Sequence, residues 1–260
     1  MPEIIVRRDG PIGRIIISNP AKYNAMSNAM WAALPPALEQ HDADPEVRLV
    51  VIEGEGDKAF VSGADISQFE TERTGAGRQD KYGDSVEAAY VAPTRCSKPV
   101  VAKIRGICFG GGLGLAAACD IRFARADARF RMPAGRLGLG YNAIGVRRFL
   151  QVFGVQNTMD IFFSARIFGA EEAARMGFVS KVAAAEDFEK MVDDWCATVA
   201  ENAPLTLRAL KKTVNQLVRD PGDRDMASAE AAIQACFDSD DYREGARAFM
   251  EKRPPVFKGA

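Results

Sequence analysis

The sequence predicts an α/β fold with a helical C-terminal portion. Two observations carry this. Up to about residue 142, short β-branched runs alternate with helical patterns. From about residue 143 apolar residues recur at spacings of three and four, the period of amphipathic helices. The 260 residues suit one large α/β domain or two smaller ones, enough for a sizeable buried core.

The elements follow in order. "EIIVRR" and "RIIIS" flank Gly10-Pro11 and read as a hairpin. A helix is predicted over about 27–41. "VRLVVIEG" is a nearly continuous β-branched run, as expected of a strand buried on both faces. The charged, glycine-rich segment 70–85 reads as a mobile surface loop, and a helix follows over 83–96. "KPVVAKIRG" repeats the buried-strand signature, a helix is predicted over 110–118, and "DIRFARADARFRM" supplies two further short strands. Strands separated by helices point to βαβ units with right-handed crossovers. The rest is predicted helical throughout, with "IGVRRFLQVFG" and "VQNTMDIFFSA" as two separate helices.

Composition excludes several function classes. There are 34 basic and 35 acidic residues, a net charge of −1, which argues against nucleic acid or an anionic membrane as the main partner. The five cysteines are scattered and form no CxxC pair, so they read as reduced thiols in a cytoplasmic protein rather than as disulfides or metal ligands. The one histidine, His41, falls near a helix C-terminus and reads as solvated; with no second histidine, a histidine metal cluster has no basis, and nothing near His41 supports a Ser-His-Asp triad. The N-terminus has no signal-peptide pattern, and no apolar run reaches the length of a membrane span.

Two glycine-bearing turns follow strand-like runs: "AFVSGADI" and "IRGICFGGGLGL". Each delivers backbone N–H groups at a strand end or helix start, where glycine permits close approach and the helix dipole favours negative charge. Two such turns converging on one oxygen would form an oxyanion hole of main-chain donors. Alternatively, "GGGLG" is a tight helix-packing surface. A dinucleotide fingerprint does not fit, because the glycines come after residue 100 rather than after the first strand, and no P-loop motif is present.

Together, "NPAKYNAMS", "KAFVSGADI", "KPVVAKIRGICFGGGLGLAAACDIRFARADARF", "PAGRLGLGYNAIGVRRF", "GAEEAARMGFVSKV" and "DDYREGARAFMEKRPPVFKG" resemble the enoyl-CoA hydratase/isomerase (crotonase) superfamily, in order and spacing, across nearly the whole chain. The resemblance implies a spiral of ββα units forming an acyl-CoA-binding core over 1–200. It also implies a helical C-terminal oligomerisation region over 201–260, giving a homotrimer or a dimer of trimers. The implied substrate is a coenzyme A thioester, with no separate cofactor and no metal. By the family pattern the N–H groups of Ala64 and Gly111 bind the thioester oxygen and stabilise an enolate, with Gly110 and Ala134 lining the acyl site. The loop around Lys22 and the backbone near Ser62 hold the nucleotide part of coenzyme A, and Lys252 or Lys258 reaches a neighbour's coenzyme A phosphates.

The chain departs from the hydratase pattern at both catalytic glutamates. Gly114 stands in the first position and Ala134, after Pro133, in the second. Hydration needs groups that transfer protons, and neither residue does so. Asp120, Asp127 and Asp160, the carboxylates between Leu113 and Phe168, read as structural. Glu70, Glu72 and Glu87 remain as candidate acids, because mobile loops can cover an active site. Tyr141, in "GYNAIG", matches a tyrosine of the family's methylmalonyl-CoA decarboxylase branch, which also lacks the glutamate pair; it is either a hydrogen-bond donor to substrate or a pocket-lining aromatic. That branch carries histidine where this chain has Ala64. Arg136 and Arg147 are candidate anion holders or ordinary surface arginines. Decarboxylation of a malonyl-type thioester is the favoured expectation, because loss of CO₂ generates the enolate without a base. The alternatives are a hydratase or isomerase using a different acid, and a non-catalytic protein that binds CoA thioesters.

Overall fold

A computed structural model describes residues 2–65 and 78–260, with side chains of the second segment described from residue 83. The chain opens with a hairpin, β1 (Glu3–Asp9) and β2 (Ile12–Ser18), paired antiparallel around Gly10-Pro11 as expected. Helix α1 (Asn28–Ala43) starts at Ser27, whose Oγ accepts from the Met30 N–H at 3.2 Å.

Three ββα turns follow. The first is β3 (Leu49–Gly54), β4 (Ala59–Val61) and α2 (Arg78–Arg95). The second is β5 (Val100–Ile104), β6 (Ile107–Phe109) and α3 (Gly111–Ala118). The third is β7 (Ile121–Arg125), β8 (Arg129–Arg131), the short α4 (Ala134–Leu137) and the long α5 (Ala143–Ser164). The first strand of each turn joins one sheet and the second joins another, so the chain spirals. After α5 come β9 (Ile167–Gly169), α6 (Ala170–Arg175), β10 (Lys181–Ala183) and α7 (Ala185–Ala200). The larger sheet has the order β1-β2-β3-β5-β7-β10 and the smaller β4-β6-β8-β9. The chain ends in α8 (Pro204–Leu217), α9 (Met226–Asp238) and α10 (Asp240–Glu251).

The continuous apolar strands have a physical cause. On one face of the larger sheet, Val50, Ile52, Val100 and Ala102 enter the main core with Phe60, Phe130 and Phe178. On the other, Leu49, Val51, Val101 and Phe123 meet Phe188, Val192 and Cys196 of α7. Alternate residues of one strand therefore bury in different cores, and no polar alternation survives.

Four expectations change. The region after residue 143 is not helical throughout: β9 and β10 are strands completed by pairing with β8 and β7. The two helices expected over 144–165 run as one element, kinked where Gly154 leaves helical geometry (φ 72°, ψ 172°). The loop expected over 70–85 is helical from Arg78 onward; its remainder, with Glu70 and Glu72, lies outside the described residues. His41 is buried, at 3 % exposure, rather than solvated. Its ring lies over Gly13 of β2, where a Cβ would come within 2.7 Å of it, and its Nε2 sits 3.3 Å from the Arg14 carbonyl oxygen. Burial lowers its pKa, against the raising effects of that backbone bond and of Asp44.

Candidate active site

The site grows from a polar loop. Asn24, in left-handed backbone (φ 56°), donates from Nδ2 to the carbonyls of Glu55 (3.0 Å) and Ala59 (2.8 Å), and its Oδ1 accepts the Asn19 N–H at 3.0 Å. This fixes the turn carrying Lys22 and Tyr23 against the start of β4. Ser62 closes the junction: its N–H donates to the Tyr23 carbonyl and its hydroxyl to the Lys22 carbonyl, both at 3.1 Å. Lys22 Nζ pairs with Asp65 Oδ2 at 2.8 Å, the lysine half-exposed and the aspartate nearly buried. Lys22, Ser62 and the Ala64 segment are thus one assembly.

Ala64 forms a parallel bridge with Met26. The Met26 N–H bonds the Gly63 carbonyl (2.9 Å), and the Asp65 N–H bonds the Met26 carbonyl (3.0 Å). A parallel bridge uses the flanking peptide groups, so the Ala64 N–H points away from Met26.

The second turn reaches the same place. Gly63 (φ 121°) and Gly110 (φ 52°) both adopt backbone that disfavours a side chain. A Cβ at Gly110 would lie 4.0 Å from Gly63 Cα and 3.7 Å from Pro133 Cδ. The two glycine turns and the Pro133-Ala134 helix start therefore meet, with Ala134 buried beside them. Gly110 donates its N–H to the Arg131 carbonyl (2.9 Å) and precedes α3, so the N–H of Gly111 has no carbonyl one turn earlier to bond within the helix.

Packing also demands the glycines. A Cβ at Gly112 would come within 2.4 Å of the Val61 carbonyl oxygen, and one at Gly111 within 2.9 Å of Trp31. A Cβ at Gly114 would lie 2.5 Å from both Cζ and the hydroxyl of Tyr90. Tyr90, on α2, occupies the space beside Gly114, crosses Trp31 edge-on at 5.9 Å and donates its hydroxyl to the Gly111 carbonyl at 3.2 Å. The packing and the donor readings of "GGGLG" are thus two aspects of one stretch.

Tyr90 was not singled out from sequence. It sits in a segment with no motif, and its only signal was a glycine at mid-helix that some larger neighbour had to cover. Tyr141 is partly buried in an aromatic group, edge-on to Phe162 at 5.2 Å and to Phe149 at 6.3 Å. Beside it, Asn142 caps α5 through the Gly145 N–H (2.8 Å) and donates to Glu87 Oε2 at 3.1 Å. Glu87 and Tyr90 are three residues apart on α2 and share a face.

The other carboxylates are engaged elsewhere. Asp120 accepts from the Val100 N–H and pairs with Lys211, both at 2.7 Å. Asp127 pairs with Arg125 (2.7 Å) and Asp160 with Arg166 (2.6 Å). Arg136 is exposed, and Arg147 pairs with Asp220 at 3.1 Å. Lys252 stands exposed at the end of α10, and Lys258 uses its backbone N–H on Asp241 at 2.7 Å. Burial pushes the Cys108 thiol far up and the Cys119 thiol to about 12, so the cysteines flanking the glycine run are neutral at pH 7. Among the described residues, no cluster of three metal-ligating side chains occurs and no helix is long and apolar enough to cross a membrane.

The arrangement offers main-chain N–H groups at a helix start, apolar walls, and Tyr90 packed beside Gly114. Comparison with known proteins identifies its family. The family model described as enoyl-CoA hydratase/isomerase matches residues 7–260. The chain is 30% identical to a short-chain-enoyl-CoA hydratase of Clostridium acetobutylicum over 96% of this chain and 95% of that protein. It is 30% identical to a peroxisomal Delta(3,5)-Delta(2,4)-dienoyl-CoA isomerase of Arabidopsis thaliana, over 97% and 95%. The crystal structure of an enoyl-CoA hydratase/carnithine racemase from Magnetospirillum magneticum superposes with a TM-score of 0.93 at 33% identity, covering 100% of this chain and 97% of that one. By the match of its sequence and of its fold, the chain belongs to the enoyl-CoA hydratase/isomerase family.

Proposed function

We propose that the protein processes an acyl-CoA thioester by stabilising its enolate in a backbone oxyanion hole, and that its reaction is decarboxylation of a malonyl-type thioester. The observation that carries this is the contact of the Gly63 and Gly110 turns, with no carboxylate at Gly114 or Ala134 beside it. The thioester oxygen accepts from the N–H groups of Ala64 and Gly111. The bond from the α-carbon to the carboxylate breaks, its electron pair passes into the enolate, and CO₂ leaves. The α-carbon then takes a proton from solvent or a hydroxyl, giving the shortened acyl-CoA. Loss of one such donor generally reduces turnover by about 10²–10³-fold. An anionic substrate is better received here than beside two glutamates, which would repel it.

Lys22 and the Ser62 backbone are assigned to the nucleotide part of coenzyme A, and Lys252 to that of a neighbouring subunit. Phe249, Met250 and Val256, strongly exposed in the single chain, are assigned to subunit contacts in a trimer or dimer of trimers. The test is release of CO₂ from methylmalonyl-CoA and ethylmalonyl-CoA by the purified protein. Turnover supports the assignment; no turnover of any malonyl-type thioester ends it.

One observation favours a second reading. Glu87 reaches the Tyr141-Asn142 turn from the helix face that carries Tyr90, so hydratase or isomerase chemistry with Glu87 as the acid is the alternative. Crotonyl-CoA turnover that disappears in Glu87→Gln would establish it.

A further inference from the structure

A cavity of about 850 Å³ opens between α2, α3, α5, α8 and α9, with Gly114 and Tyr90 in its wall opposite α8. Its composition is one-sided: seven lining residues are Arg or Lys, and none is Asp or Glu. Two of these cations are matched. Lys211 pairs with Asp120 at 2.7 Å, and Arg147 with Asp220 at 3.1 Å. Two half-buried ones form no ion pair among the described residues, although the charge of Asp120 acts on Arg148. Arg148 donates to the carbonyls of Ala117 (2.7 Å) and Cys119 (3.1 Å) and to Gln151 Oε1 (3.2 Å), all neutral acceptors. Arg208 has its Nε buried with no hydrogen-bond partner among the described residues. Behind it, Lys98 is buried, and its pKa is lowered by desolvation and then by the charge of Arg208, with Asp42 and Asp44 opposing.

A buried cationic donor without a partner is destabilising, and an oxyanion satisfies charge and hydrogen bond together. We propose that this cavity binds a small oxyanion, with Arg208 and Arg148 as its principal donors. Two sources supply that chemistry. One is a carboxylate at the far end of the substrate's acyl chain, because the cavity is lined by Gly114, one helical turn from Gly111, and by Tyr90, whose hydroxyl bonds the Gly111 carbonyl. From Gly111, where the thioester oxygen is assigned, to Cys119, whose carbonyl holds Arg148, is about 12 Å along the helix. A dicarboxylic acyl chain of about ten carbons spans this. The other source is a free dianion. The acyl source rests on the thioester reading above; the anion site itself does not.

The test is equilibrium binding to the full chain. Decanedioyl-CoA is compared with decanoyl-CoA, which has the same chain length and no distal charge, and inorganic phosphate is titrated separately. The acyl source predicts decanedioyl-CoA binding about tenfold or more tighter, with the difference abolished in Arg208→Met and decanoyl-CoA affinity unchanged. A free-dianion source predicts phosphate binding that depends on Arg208, with decanedioyl-CoA and decanoyl-CoA equal. In either case Arg208→Met holds or raises the thermal midpoint, because a buried donor without a partner is removed. The proposal is overturned if neither phosphate nor decanedioyl-CoA shows Arg208-dependent binding, or if Arg208→Met lowers the midpoint while leaving anion affinities intact. Arg148→Met tests the anion affinities independently, with a lower midpoint expected because the Ala117 and Cys119 carbonyls lose their donor. Because binding is measured without turnover, failure of malonyl-thioester decarboxylation leaves these outcomes distinct.

Discussion

Replacing Gly114 by alanine tests the packing at the heart of the site. In an ordinary helix interior this change stabilises by about 0.5–1 kcal/mol, because alanine has less backbone freedom to lose. Here the new Cβ would meet Tyr90 Cζ and its hydroxyl at 2.5 Å. Carbon atoms prefer about 3.5–4.0 Å, so the overlap is roughly 1 Å or more. Tyr90 cannot withdraw freely, since its hydroxyl bonds the Gly111 carbonyl and its ring meets Trp31. Overpacking of this kind destabilises by about 1–3 kcal/mol, so the expected sign is reversed. In a Tyr90→Ala background the obstacle is gone, and Gly114→Ala should become neutral or stabilising. Urea unfolding of the four proteins in the cycle measures this, with an expected coupling of about 2–3 kcal/mol. Additive effects, or stabilisation by Gly114→Ala in the presence of Tyr90, would refute the claim that the tyrosine occupies this space.

Three further outcomes are expected. Asn24→Ala removes two donors from the Glu55 and Ala59 carbonyls and should lower stability by about 2–4 kcal/mol in the same unfolding assay. With Cys96 and Cys196 raised to about 11 and Cys119 to about 12, a disulfide reagent at pH 8 should label only the partly exposed Cys236 rapidly in native protein, and the remaining thiols after denaturation. His41 is harder to protonate folded than unfolded, so stability should be level above its ordinary pKa of about 6.5 and fall as pH drops below it, by up to about 1.4 kcal/mol per pH unit; His41→Gln should flatten that limb of the pH–stability curve.

The parts of the fold legible in sequence are those where local pattern and burial agree. β3 and β5 were readable because both of their faces are covered, leaving uninterrupted β-branched runs. β9 and β10 were not, because three residues carry no period and their strand character comes from pairing with β8 and β7. His41 was misread because a helix terminus usually faces water; its burial comes from Gly13 on β2, a long-range partner. In the site, the meeting of the Gly63 and Gly110 turns was foreseeable from two strand-ending glycine motifs. Tyr90 was not, since only the fold lays α2 across Gly114.

The proposed reaction makes the enolate by losing CO₂ rather than by moving a proton through a carboxylate. The most direct measurement is the ratio of kcat/KM for methylmalonyl-CoA to that for crotonyl-CoA, in the wild-type protein and in Glu87→Gln. Decarboxylation predicts a ratio well above one that survives the substitution. Preference for crotonyl-CoA, lost when Glu87 is replaced, would contradict it.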